Sequence, residues 1–346
     1  MVKVSYNFQR MPKKQLPNTF PTQYQRVMIA FLGAHLIWGA ATAVIKYTLD
    51  YIPPFTLLFL RFLIVCIFVL PILSHQLKKE PINKKDYLNL FLLGVFSQTA
   101  LVIPFVALKF TTALDLAILG VMGAVLTVYA GHYYYRDKIN GWVSWGLFLA
   151  SAGTLLVVVE PLLLSHNNEV SMLERTLGNI LAFFYALLWV VYVIWTKYTM
   201  GEGSEKIKRT LRFLHLRPMT RNYSATIITL SSFFVGLATL TPLAIIENMG
   251  IGSTQNFDIL TIDIRGIAGL FYLAIFSSII AYWLNQWALH KGKASDYAIF
   301  SYLAPIFTFP FAYILLGELP NSLMFVGGIL IAIGVFLAEK GNHKPC

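Results

Sequence analysis

The chain has 346 residues, 57% of them hydrophobic and only 12% charged, with a mean hydropathy of +0.65 and a net charge of +11. Soluble domains carry about a quarter charged residues, so this composition excludes an ordinary water-soluble fold and points to a chain immersed in a bilayer. The basic residues sit between the apolar runs, where membrane topology accounts for them, and no nucleic-acid partner is expected.

Residues 1–26 are polar and basic, without the apolar core of a cleavable signal, and read as a cytoplasmic N-terminal segment. A spanning helix needs about 20 apolar residues, and ten such runs follow. The first five spans are expected at about 27–49, 55–73, 87–108, 113–135 and 141–159. Pro53 and Pro54 close the first loop, and Pro71 ends the second span. A polar loop, 160–177, read as external, leads to spans at about 178–197, 224–246, 266–288, 296–316 and 322–338. A long basic insertion occupies 200–223, and 339–346 form a cytoplasmic tail. The expected fold class is an all-α integral membrane protein of ten transmembrane helices.

The chain repeats itself. Residues 107–158 align without a gap on 288–339, with 12 identities in 52 positions, including Asp115 with Asp296, Gly146 with Gly327 and Gly153 with Gly334. Earlier in each half, Trp38 pairs with Trp189 and Lys46 with Lys197. Of 27 Lys and Arg residues, 22 fall on the side of the N-terminus, so both termini are expected in the cytoplasm. Five spans per half is an odd number, so the second half, 178–338, enters the membrane opposite to the first, 27–159. Inverted five-helix repeats are a transporter architecture with substrate bound near the midplane.

Several residues are unusual for a lipid-facing helix. Arg61 lies inside the second span, where a charge costs several kcal/mol unless paired or hydrated; it is read as lining a cavity or paired, with snorkelling the alternative. Lys46, near the outer end of its span, is expected to snorkel. Tyr282 and Asn285 in the eighth span, and Gln98 and Thr99 in the third, are expected to face the interior, as interhelical bonds or as substrate contacts. Trp38, Trp189 and Tyr192 supply candidate aromatic walls, with an interfacial aromatic belt as the alternative, which the mid-span place of Trp189 weakens. Asp115 and Asp296 start their helices, where an acid is favoured by the dipole; proton coupling is the sharper alternative. Glu318 is expected to organise the start of the last span. The basic, apolar-studded stretch 205–221 reads as an interfacial helix on anionic lipid or as a solvated loop. Cys66 and Cys346 have no disulfide or metal spacing, and no phosphate loop, metal cluster or nucleophile triad is evident, so neither metal nor cofactor is expected.

The second half resembles an EamA module of the drug/metabolite transporter superfamily in Ala288-Leu289, 294–298, Leu303-Ala304-Pro305, Leu316-Gly317-Glu318, Gly327 and Gly334. The first half resembles it in Trp38-Gly39, Lys46, Pro54, Arg61, Pro71, Ala107-Leu108, Gly146 and Gly153, but has Ala124 and Arg136-Asp137 where the second has Pro305 and Gly317-Glu318. The resemblance implies a ten-helix carrier, an exporter of small metabolites such as amino acids or drugs in the bacterial plasma membrane, without enzymatic activity. A non-transporting sensor or scaffold that uses the 200–223 loop stands as the alternative.

Overall fold

The computed structural model describes residues 23–135, 141–163, 171–201, 205–249, 262–291 and 304–342. Backbone polar groups in hydrocarbon must find partners within the chain, and the described residues are helical without a strand. They form α1 (Gln23–Thr48), α2 (Pro54–Lys79), α3 (Tyr87–Ser97), α4 (Val102–Ala107), α5 (Ala113–Tyr135), α6 (Gly141–Leu163) and α7 (Met172–Thr199). Then come α8 (Glu205–Phe213), α9 (Ala225–Asn248), α10 (Ile264–Phe271), α11 (Ala281–Lys291), α12 (Ala304–Leu316) and α13 (Ser322–Asn342). A 3₁₀ turn, Thr99–Leu101, joins α3 to α4, and a π-helical segment, Tyr272–Ile280, joins α10 to α11. Among the described residues, seven helical runs are long and apolar enough to cross a membrane; α6, α12 and α13 add shorter apolar stretches.

Local chemistry sets the helix ends. Pro54 occupies the first turn of α2, where its missing N–H is harmless. Pro71 does not end α2, which runs on to Lys79, because a proline removes one helical hydrogen bond without obliging the chain to unwind. α7 starts at Met172 rather than Gly178: Ser171 and Glu174 form a reciprocal capping box that hydrophobicity alone does not register. In the basic insertion, Glu205–Phe213 is helical, with Ile207 and Leu211 buried.

The polarity is that of a lipid-embedded bundle. Large apolar side chains such as Ile67, Phe148 and Ile314 face outward, while Arg61, Asp115, Glu160 and Asn285 are buried. α6 packs on α13, α2 on α9, α5 on α7, and α1 on α12 and α11. The α6–α13 contact depends on glycine. A Cβ at Gly153 would stand 2.6 Å from the carbonyl oxygen of Gly327, and one at Gly334 would stand 2.5 Å from that of Gly146. Backbones this close are how helices associate in lipid, where packing replaces the hydrophobic effect.

Polar ties hold the two ends of the bundle. At the end where α1 finishes, Lys46 Nζ donates to Glu318 Oε1 and to the Thr111 carbonyl, each at 2.8 Å. Glu318 also accepts the Ala113 and Leu114 N–H groups, so it caps α5 rather than organising the start of the last span, and Lys46 is paired rather than snorkelling. Arg175 joins Asp115 at 2.9 Å and Glu160 at 3.0 Å, and Asn321 donates to Glu160. Glu247 of α9 caps α2 through the Thr56 N–H at 2.7 Å. At the opposite end, Glu80 accepts from Ser224 N–H at 2.9 Å, and Asp86 accepts from Thr220 N–H at 2.9 Å and from the Tyr223 hydroxyl at 2.7 Å.

Two stability measurements check these contacts. Gly334→Val should drive α13 off α6 and lower stability by about 1–3 kcal/mol, whereas Gly328→Ala, with nothing within 4 Å of its Cβ, should be neutral or slightly stabilising in the same detergent melts. Arg175→Gln leaves two buried carboxylates without their cation and should cost about 3–5 kcal/mol; adding Asp115→Asn should restore part of the loss.

Candidate functional site

Between the two tied ends lies a cavity of about 190 Å³. α1 contributes His35, Trp38 and Thr42 to its wall; α2 contributes Arg61, and α7 contributes Tyr185 and Trp189. Phe105 of α4, Gly120 of α5, Ser277 of the π segment, Tyr282 of α11 and Ala304 of α12 complete it. The chain thus draws one lining from helices throughout its length.

The aromatic side of the cavity is a set of interlocked rings. Trp38 meets Trp189 edge-on at 5.7 Å between centroids and Tyr282 at 5.1 Å, and Trp189 lies 4.8 Å from Tyr192. Edge-to-face packing of this kind fixes ring orientation beyond simple burial. Trp38 Nε1 donates to the Ser277 carbonyl at 3.0 Å, anchoring α1 to the π segment.

The polar side is built by α2 and that segment. π-helical turns are rare and concentrate at functional sites, and this one turns two consecutive serines toward Arg61. Arg61 Nε donates to Ser278 Oγ at 2.6 Å and Nη2 to Ser277 Oγ at 3.3 Å. The guanidinium carbon lies 5.5 Å from the Phe62 ring centroid and 6.0 Å from that of Phe105. Arg61 is 2% exposed, and among the described residues no carboxylate lies within ion-pair distance of it.

Four of the residues singled out in the sequence therefore meet here: Trp38, Arg61, Trp189 and Tyr282. The other four do not line the cavity. Gln98 donates to Ser232 at 3.1 Å, Thr99 shares a 2.6 Å bond with Thr239, and Gln286 donates to Tyr192. With buried Asn285 these make a polar seam between α3, α7, α9 and α11. Among the described residues, the Asn285 amide, Gln98 Oε1 and Gln286 Oε1 find no hydrogen-bond partner in it. Asp115 sits in the Arg175 ion pair, outside the cavity wall, and Asp296 lies outside the described residues.

Sequence reasoning missed His35, Ser277, Ser278 and Glu160. His35 is an ionisable residue deep inside an apolar span, a signal available to the rule that singled out Arg61; its Nδ1 lies 2.8 Å from the Phe31 carbonyl. The adjacent hydroxyls of Ser277 and Ser278 gave a weaker signal, since only the π geometry brings both to one arginine.

The profile of the EamA-like transporter family matches residues 25–159 and 176–339. An uncharacterised transporter of Archaeoglobus fulgidus is 27% identical over 310 residues, 89% of this chain and 96% of its own. A probable amino-acid metabolite efflux pump of Escherichia coli is 27% identical over 307 residues, 88% of this chain and 92% of its own. A crystal structure 17% identical in sequence, covering 92% of this chain and 99% of its own, superposes with a TM-score of 0.59 and shares the fold. Apolar helices around a buried polar interior, matched by this family over both halves of the sequence, establish that the chain belongs to the EamA-like transporter family.

Proposed function

We propose that the protein is a secondary-active carrier that exports small amphipathic metabolites, of the amino-acid or drug class, across a bacterial plasma membrane by alternating access. The observation that carries this reading is the interior cavity, bounded by aromatic rings and one buried cation, with polar ties at both ends of the bundle. The efflux relative supports the direction and the substrate class.

The architecture proposed is ten spans in two inverted five-helix repeats, with both termini cytoplasmic. In its support, glycines that match in the repeat meet crosswise: Gly153 with Gly327, and Gly334 with Gly146. A two-fold axis in the membrane plane produces this reciprocity. The end bearing Lys46, Glu318 and Arg175 is then external, and its ion pairs form the outer gate. The seam of Gln98, Asn285 and Gln286 is the inner route in its closed state. Each buried, unsatisfied polar group costs about 1–3 kcal/mol, a penalty relieved when the seam opens and water enters. The half-cycle that opens the seam parts no ion pair between described residues of the seam, whereas the opposite one must part Lys46 from Glu318. Asp115 is assigned to the gate rather than to proton coupling, because its Oδ2 is held by Arg175 and Thr111.

α8 is proposed to lie on the cytoplasmic leaflet. Lys206 stands 4.2 Å from the Tyr133 ring, while Phe213 is 81% exposed beside Lys208, Arg209 and Arg212, a combination that suits anionic lipid.

Two experiments test the proposal. Cells expressing the protein should enrich their medium in a discrete set of small metabolites relative to cells without it, and Trp189→Ala should reduce that enrichment at least severalfold at equal membrane abundance. Identical media from both cells would contradict transport and favour a sensor or scaffold. In the second, Thr42→Cys places a thiol in the cavity wall; adding Glu318→Gln should raise its labelling by an impermeant external maleimide roughly fivefold, about 1 kcal/mol of gate stability. Unchanged labelling would remove Lys46–Glu318 from the gate.

A further inference from the structure

The buried and half-buried cations whose partners define this bundle are treated unequally. Arg175 has two carboxylates and Lys46 has one, and both stand at the end of the bundle. Arg61, buried more deeply than either, has, among the described residues, two serine hydroxyls and the rings of two phenylalanines. A full charge held this way in a membrane interior is expensive, and such groups mark a site whose counter-charge arrives from outside.

The bonding of the guanidinium says what is left for that partner. The hydroxyl of Ser278 sends its proton to the Leu273 carbonyl at 2.9 Å, so its oxygen acts as a fixed acceptor for Arg61 Nε. The Nη2 contact with Ser277 is long, at 3.3 Å. Arginine has five N–H donors in a planar fork, and the bonds to the serines hold two of them. Three are left, and Arg61 is part of the cavity wall. A planar carboxylate fits that fork in bidentate fashion.

We infer, resting on the carrier reading above, that Arg61 is the receptor for a substrate carboxylate and that the preferred ligand is an organic acid with a planar apolar body. The carboxylate pairs with the guanidinium, and the body lies against Trp38, Trp189 and Tyr282. A single cation in a cavity of about 190 Å³ matches a monoanion better than a phosphate dianion. No acidic side chain is among the lining residues described, so nothing there balances an ammonium group on its own, and amines that lack a carboxylate are disfavoured.

Phenylpyruvate and phenylalanine amide, an anion and a cation of similar size, are suitable probes for purified protein in nanodiscs. Phenylpyruvate should quench tryptophan fluorescence saturably and raise the melting temperature; the amide should do neither at tenfold higher concentration. Arg61→Gln should weaken phenylpyruvate binding at least 30-fold, and Arg61→Lys, which keeps the charge but loses the fork, about tenfold. The ligand-free melting temperature of Arg61→Gln should hold or rise, because an unmatched buried charge has been removed. A fall in that temperature with phenylpyruvate binding intact would make Arg61 structural and overturn the inference. Equal binding of the two probes, or binding of neither, would overturn it as well. Flux in proteoliposomes separates the two levels: phenylpyruvate that binds through Arg61 but never crosses refutes the carrier and leaves the anion site standing. Phenylpyruvate that crosses equally well with Arg61→Gln refutes the site and leaves the carrier.

Discussion

A charge or a backbone amide in hydrocarbon has no water to turn to, and almost every feature of this molecule follows from that constraint. The helices satisfy the backbone. Carboxylates and cations gather where they answer one another: Arg175 between Asp115 and Glu160, Lys46 on Glu318, Glu247 over the first turn of α2. Apolar side chains take the outward positions, and glycines let α6 and α13 approach to backbone contact. The interior that remains holds one cavity wall with a cation that the described protein residues leave without a carboxylate.

The position of these ties relative to the cavity is what gives them a mechanical meaning. Ion pairs concentrate at the end of the bundle where α1 finishes, whereas the seam at Gln98, Asn285 and Gln286 is held by neutral groups, some atoms of which have no partner among the described residues. An ionic closure and a neutral closure respond differently to water: the first resists opening through charge, the second gains hydrogen bonds by opening. On the carrier reading proposed above, these two closures are the two gates of the aromatic chamber.

Much of this was legible in the sequence, and the reasons differ by level. Apolar runs of membrane length disclosed the spans, because hydrocarbon thickness fixes their length. Arg61, Trp38, Trp189 and Tyr282 were readable because each is anomalous at mid-span, and they converge on the cavity. Gln98, Thr99, Tyr192 and Asn285 carried the same signal yet lie in the seam, since polarity shows that a residue faces the interior and not which interior surface it meets. Glu318 pairs with Lys46 across 272 positions of sequence, a distance over which no local pattern reports. The serine pair beside Arg61 depends on a π segment whose geometry comes from packing against α1 and α2, and residue spacing gave no warning of it.

The central claim, that two gates alternate about the cavity, is tested most directly by measuring distances across both ends at once. Spin labels at Asp50 and Leu319 report on the end that carries Glu318, and labels at Lys79 and Lys291 report on the other; all four positions are exposed. Addition of a transported substrate should shift the two distance distributions in opposite senses, one pair separating as the other closes. Distances that stay fixed, or that widen together at both ends, would contradict alternating access and describe a static scaffold or a pore.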